Sequence, residues 1–420
     1  MNENTRTALK IKTHIGKFSG IISKGLSKAK RRLIKEVLYG IQATKDVKLS
    51  NISRSLREEI ELIKTEDRLS RNLDDIDFTG RINEEICWLG SRKVLEEMVI
   101  AIDVGDVRKR YAKKMEYLCG IHDGSENEVG NGYWLCKVIA ADIDHKQVIP
   151  MYCEAWSQEA EGFKSEPDQL FKTIDTVSRH IGTKGIWAID RGGDSRKVFD
   201  KFLDGEQARR FVIRLQKTRN LVRNGVSQNS YEMARMMDTP HQTRFVKFEK
   251  GKEVAWTISY QAVPVKLPHR EEKLFLVVAK GFGEEPMMLL TNCMVNLKVK
   301  ESIWRIVEIY LTRWKCEESF RYIKQSYNLE DIRVRSYTAI RNMVVLVLAV
   351  SYFAAVYLGQ SIKLKFQVER ILLISRRFFG VPTFFNYAIA DGIYTLLFPD
   401  KTGLNLRRKE DDFQLCLDFR

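Results

Sequence analysis

Two short apolar runs, each carrying a single aspartate, constrain this chain more than any other feature. Met98-Val-Ile-Ala-Ile-Asp103-Val-Gly-Asp is rich in β-branched residues and is interrupted by Asp103 and then by Gly105. It predicts a central buried strand that presents one carboxylate. Burying that carboxylate alone is costly, so a partner or a metal is implied. Gly185-Ile-Trp-Ala-Ile-Asp190-Arg-Gly-Gly repeats the theme, with Asp190 at the carboxyl end of its run. Open α/β sheets collect their ligands at that end of a strand. Taken alone, a strand ending in Asp-Arg-Gly is more often a turn.

The neighbouring segments fit the same sheet. Tyr133 to Ala141 and Gln147 to Tyr152, joined by a polar turn at residues 144–146, predict a hairpin beside the first strand. Ser165 opens a helical stretch with Pro167 and Asp168 in its first turn, running to about His180. A helix from Ser195 to Leu203 and a strand at 211–215 complete an alternating pattern.

A third element lies far downstream. Ile303, Ile306, Val307, Tyr310 and Trp314 recur at helical intervals with no Gly or Pro, which predicts one helix from about 300 to 326. At 100° per residue Arg313 lies about 60° from Tyr310, Glu317 about 20° and Lys324 about 40°, so one stripe carries all four. The plain alternative is a solvated face with an Arg313–Glu317 pair contributing only ~0.2–0.5 kcal/mol.

The gaps Tyr310-(2)-Arg313-(3)-Glu317-(6)-Lys324 resemble the Y-(2)-R-(3)-E-(6)-K signature of the IS4-type DDE transposases, the group that includes the Tn5 transposase. That resemblance implies a ribonuclease-H-like α/β catalytic core in which Glu317 is the third metal-binding carboxylate. Asp103 and Asp190 become the first two, catalytic and metal-holding, with Asp103 bridging a pair of Mg²⁺ ions that Mn²⁺ would replace. Tyr310, Arg313, Lys324 and Arg191 are expected to face transposon-end DNA. The adjacent Asp106, Asp194 and Glu318 are expected to be ordinary surface acids.

The implied activity is cleavage of phosphodiester bonds at transposon ends, followed by transfer of the freed 3′ hydroxyl into target DNA. Double-stranded DNA is then the partner, with a homodimer in the synaptic complex and a cytoplasmic, nucleoid-associated location in a prokaryote. Two other readings stay open: a nuclease with this core and no strand transfer, and a domesticated DNA-binding protein.

Charge agrees with a polyanionic partner. Lys and Arg exceed Asp and Glu by 15, and residues 1–35 hold ten of these cations against the single acid Glu3. Leu49 to Leu56 predicts a short helix with Ser50 or Asn51 as its cap and Arg54 and Arg57 exposed. A helix-turn-helix there and an ordinary amphipathic helix are equally good readings.

The expected organisation is a helical, basic end-binding domain over 1–85, core over 86–216 and 296–360, a β-rich insertion over 217–295, and a C-terminal helical region over 361–420 that could make a dimer contact. The insertion carries strands near 243–248, 253–260, 274–280 and 287–292, as in Tn5-like transposases. Arg214, Lys217, Arg219 and Arg223 at its entrance form either a strip for DNA backbone or a solvated surface. Trp256 and Trp304 are read as core aromatics rather than stacking platforms for an extruded base.

The seven cysteines are scattered, without a C-x-x-C pair, and suggest a reducing compartment rather than a zinc site or disulfides. The polar N-terminus shows no secretory signal. The apolar run 343–359 reads as a buried helix and not a membrane span.

Overall fold

The computed structural model describes residues 3–123, 128–143, 147–204, 208–249, 252–359, 386–399 and 402–404. The turn at 144–146 and most of the expected C-terminal region lie outside them.

Five helices come first: α1 (Glu3–Ile22), α2 (Lys28–Thr44), α3 (Leu49–Leu56), α4 (Leu62–Asp74) and α5 (Thr79–Ser91). In α1, Ile11, Ile15, Phe18 and Ile22 follow one another at three- and four-residue steps and are all buried, the apolar stripe of an amphipathic helix. Helix α3 starts at Leu49 with Lys48 as its cap position and no capping side chain. The anticipated caps Ser50 and Asn51 already lie inside it. Asp46 orders this end instead, accepting from the Lys48 N–H at 2.9 Å and the Asn51 amide at 2.8 Å.

Among the described residues ten strands form one mixed sheet: β1 (Val99–Arg108), β2 (Cys119–Asp123), β3 (Glu128–Ala141), β4 (Val148–Trp156), β5 (Ile186–Ile189), β6 (Phe211–Arg214), β9 (His241–Glu249), β10 (Lys252–Val265), β11 (Leu274–Lys280) and β12 (Met287–Thr291). Two short strands, β7 (Asn220–Arg223) and β8 (Val226–Asn229), pair separately. β3 pairs antiparallel with β1 and with β4, whereas β5 runs parallel to β1 and β6 parallel to β5. Three antiparallel strands followed by two parallel crossovers is the order expected of a ribonuclease-H-like core. The crossover helices are α6 (Glu166–Ile181), capped by Ser165, and α7 (Arg196–Leu203), capped by Ser195.

The strands of the expected insertion do not stand apart. β12 pairs with β6, and β11, β10 and β9 follow outward, so they extend the same sheet beyond the catalytic strands. A short helix, α8 (Ser230–Met236), sits among them.

The predicted helix over 300–326 is two helices, α9 (Lys300–Thr312) and α10 (Trp314–Tyr327). The backbone N–H groups of Arg313 and Cys316 reach back three residues, to Tyr310 and Arg313, which tightens the turn between the helices.

Helix α11 (Tyr337–Ala355) is long and apolar enough to cross a membrane, but 83% of its most apolar window is buried inside the protein. It packs on β4, α2, α4, α5 and the last described helix, α12 (Asn386–Leu397). Asn342 on α11 accepts from the Phe78 N–H and donates to the Leu73 and Ile76 carbonyls. The N-terminal helices are thereby built into the same body as the elements that follow the insertion.

Candidate active site

β1 does not end at Gly105 but continues to Arg108, and this places Asp103 at mid-strand, directly across from Lys137 of β3. A Cβ at position 105 would stand 3.3 Å from the Phe320 ring, so the glycine lets α10 lie close on the strand. Asp190 follows the last residue of β5. Its Oδ1 accepts from the Gly192 N–H at 3.0 Å and caps the single 3₁₀ turn Arg191–Gly193. Asp103 and Asp190 line one cleft of about 460 Å³ together with Glu166, Trp134 and Ser195.

Glu317 occupies the first turn of α10, where the helix dipole favours an anion, and its side chain is half exposed. Between it and Asp103 sits Arg313, whose side chain is 6% exposed. Its Nη2 donates to Glu317 Oε1 at 2.7 Å and its Nη1 lies 3.4 Å from Asp103 Oδ1. Its buried Nε has no partner among the described residues.

The electrostatics show convergence. Burial pushes the Asp103 carboxyl up to about 7; Arg313 opposes this, while the negative charges of Asp190 and Glu317 add to it. Two carboxylates from segments more than 80 residues away in sequence therefore act on Asp103. Among the described residues, no three His, Cys, Asp or Glu side chains form a group close enough to hold a metal ion. The all-oxygen donor set and the mutual repulsion at Asp103 nevertheless fit a hard divalent cation. Arg313 supplies the positive charge on the Glu317 side.

The other expected site residues fall in different settings. Tyr310 is 1% exposed, with Arg214 and Arg313 against its ring at 5.9 and 5.6 Å, so its phenol is packed inside rather than presented to DNA. Arg313 is likewise buried, so the plain alternative of a solvated Arg313–Glu317 pair is corrected. Lys324, farther along α10, is bound to Asp106 and Glu330, each at 3.0 Å. Arg191 is exposed.

Two of the three neighbouring acids are not surface acids. Asp106 is buried because β1 carries it onward as strand, and Lys324 neutralises it. Asp194 is also buried; it accepts from the Gln216 N–H at 2.7 Å and from Arg219 Nε at 2.6 Å, pinning the chain after β6 to the chain after β5. Glu318 is the exception, half exposed and, among the described residues, paired with Arg321.

The strip at the insertion entrance is partly occupied, since Lys217 pairs with Glu285 and Arg219 with Asp194. Trp304 packs on Tyr260. Trp256 lines a cleft of about 390 Å³ with Arg191, Arg214 and Trp314.

Lys137 was not legible as a site residue. It is fully buried, its Nζ donates to the Ser319 carbonyl at 2.9 Å, and burial lowers its pKa to about 8. It ties β3 to α10 and so positions the helix bearing Glu317. A lysine inside the apolar run Trp134 to Ala141 was the signal available.

Comparisons with known proteins complete the picture. Residues 164–353 match the transposase DDE domain family, a segment that includes Asp190 and Glu317 but begins after Asp103. This supports a DDE transposase. No curated protein matches the chain. Among solved structures, the piggyBac transposase in its synaptic complex with hairpin DNA, studied by cryo-electron microscopy, aligns with a TM-score of 0.47 and 11% identity over 98% of this chain and 84% of that one.

Proposed function

We propose that this chain is the DNA transposase of an IS4-type insertion sequence, cutting at the element's ends and joining the freed ends to target DNA. The observation that carries the reading is the single carboxyl of Asp103, part-buried on β1, lining one cleft with Asp190 and sharing Arg313 with Glu317. Asp103 and Asp190 would hold divalent cations, Mg²⁺ or Mn²⁺, with Glu317 contributing from α10. Two such ions supply an activated attacking oxygen and a stabilised leaving oxygen.

In the first reaction a water oxygen attacks the phosphorus at the transposon end. The bond from phosphorus to the 3′ oxygen breaks, and that oxygen leaves with a proton as a free 3′ hydroxyl. In the second, this hydroxyl attacks a target phosphodiester and displaces the target strand's own 3′ oxygen. Neither reaction needs a covalent protein intermediate.

The chain's residues bind and orient. Arg313 holds Glu317 near Asp103, and Lys137 fixes α10 on the sheet. Arg191 and Lys324 would meet the backbone of the end DNA, the basic helices of 1–85 would recognise the end, and two copies would pair two ends. A prokaryotic cytoplasm is the compartment this chemistry suits.

The test uses the full chain, Mg²⁺ and a duplex carrying the element's terminal inverted repeat. Nicked and then joined products are expected. Asp103→Ala, Asp190→Ala and Glu317→Ala should each lose nicking and keep end binding. Nicking without joined product would instead identify a nuclease with this core, and end binding without nicking a DNA-binding protein.

A further inference from the structure

Beyond Asp103, β1 runs on to Arg108 and the chain enters a loop over residues 109–117. That loop is tied to a distant segment. Lys109 Nζ donates to the carbonyls of Glu330 and Ile332 at 2.7 and 2.9 Å, and its N–H donates to the Asn131 carbonyl at 2.7 Å. The Glu116 N–H donates to the Arg335 carbonyl at 3.0 Å, and the Glu116 carboxylate accepts from the Tyr337 N–H at 2.7 Å. Segments more than 200 residues apart are stitched into one surface.

Four exposed cations stand on it: Lys113, Lys114, Arg333 and Arg335. None makes a side-chain hydrogen bond or ion pair among the described residues, unlike Lys217, Arg219 and Lys324. Of the nearby acids, Glu330 is engaged by Lys324, Asp331 by Lys48 and Glu128 by Arg108, while Glu116, exposed on the loop itself, accepts from the Tyr337 N–H and leaves the four cations in excess. Tyr111, on the same loop, is 89% exposed and adds an aromatic face. An ordinary solvated face mixes both signs, whereas uncompensated cations gathered on one rigid surface repel one another until a polyanion neutralises them.

We propose that Lys113, Lys114, Arg333 and Arg335 form a second DNA-backbone surface, separate from the carboxylate cleft, that grips duplex irrespective of sequence. The inference rests on the reading of the chain as a DNA-cutting enzyme. Six residue steps carry the chain from Asp103 to Lys109, where the loop begins, roughly 20 Å. On a duplex laid along β1, at about 3.4 Å per base pair, the near end of this surface would fall roughly six base pairs from a phosphate held at Asp103.

The experiment measures binding of the full chain to a random-sequence duplex across a salt series, wild type against the variant Lys113→Ala/Lys114→Ala/Arg333→Ala/Arg335→Ala. Each lost phosphate contact removes close to one counterion, so the slope of log affinity against log salt should flatten by roughly 3 to 4. The melting midpoint should not move, because all four side chains are exposed. End duplexes trimmed to fewer than about six base pairs beyond the nick should be bound equally by both proteins. An unchanged salt slope, or a defect that persists on the trimmed duplexes, overturns the surface. Cleavage by the wild type is scored separately: a chain that binds through these residues but never nicks overturns the transposase reading and leaves the surface standing.

Discussion

Asp103, part-buried with its side chain 15% exposed, and the buried Glu154 are carboxylates on the two strands that flank β3, and their rows nearly coincide, since Cys136 pairs with Val104 on one side and with Glu154 on the other. Their surroundings differ. Glu154 is met by Lys172 at 2.6 and 2.9 Å, by Arg341 from α11 and by the Tyr152 hydroxyl. Burial pushes its pKa up, but Lys172 and Arg341 outweigh that and hold the carboxyl below its ordinary value. Asp103 has one cation at 3.4 Å and two carboxylates for neighbours, and it is raised to about 7. A carboxylate with all its partners joins β4, α6 and α11. One left short of partners is what the proposed metal-holding role of Asp103 would require.

Four measurements would break or sharpen this contrast. The largest effect is expected at Asp103: Asp103→Asn should slow Mg²⁺-dependent nicking by roughly 10³-fold or more while the melting midpoint holds or rises. A variant that melts far below the wild type would make Asp103 a structural acid like Glu154. Glu154→Ala should do the reverse, lowering stability in denaturant titrations by about 3–5 kcal/mol because Arg341 and Lys172 lose a buried partner. Nicking per folded molecule should stay normal, and a selective loss of cleavage would erase the distinction.

The third measurement is stability against pH, and it concerns two buried lysines, Lys137 on β3 and Lys109 just after β1. Folding lowers Lys109 to about 7 and Lys137 to about 8, from 10.5, chiefly by burial. Above those values the unfolded chain binds protons that the folded chain does not, so stability should rise with pH. The rise should run from pH 7 to about 9, where buried thiols such as Cys136, raised by burial, begin to favour the unfolded chain instead. Lys137→Met should flatten the upper part of that rise, and a slope it leaves untouched would mean that Lys137 is not buried as a cation. The smallest effect belongs to Glu318→Ala, which should change stability by less than about 0.5 kcal/mol and cleave normally. Lost cleavage there would overturn the register of α10.

The strands and the crossover helices were readable because each depends on local periodicity; Asp103 and Asp190 stand out as single charges in apolar runs, and Glu317 through the spacing of its helix. The break at Arg313 was not. Its φ of −55° and ψ of −33° are helical, and no Gly or Pro marks it. The turn tightens where the buried guanidinium reaches Asp103, a contact between residues 210 apart. Tyr310 is packed inside because Arg214 of β6, remote in sequence, covers its ring, which a helical projection cannot show. Asp106 and Asp194 were misjudged for a related reason, because their partners Lys324 and Arg219 are remote in sequence. Glu154 drew no notice at all, since a lone Glu in Met-Tyr-Cys-Glu-Ala-Trp reveals nothing of the cations that Lys172 and Arg341 bring to it.

The continuity of the sheet past β6 governs how this chain can fold and be cut. β6 finds its outer neighbour only in β12, whose Leu289 pairs with Arg214 across 74 intervening residues. Until that pairing closes, the nascent core presents a bare edge of backbone donors and acceptors, a template on which another chain can polymerise. Excising 217–286 to obtain a minimal nuclease would make that transient state permanent, so the outer strands act as the lid on an aggregation-prone seam.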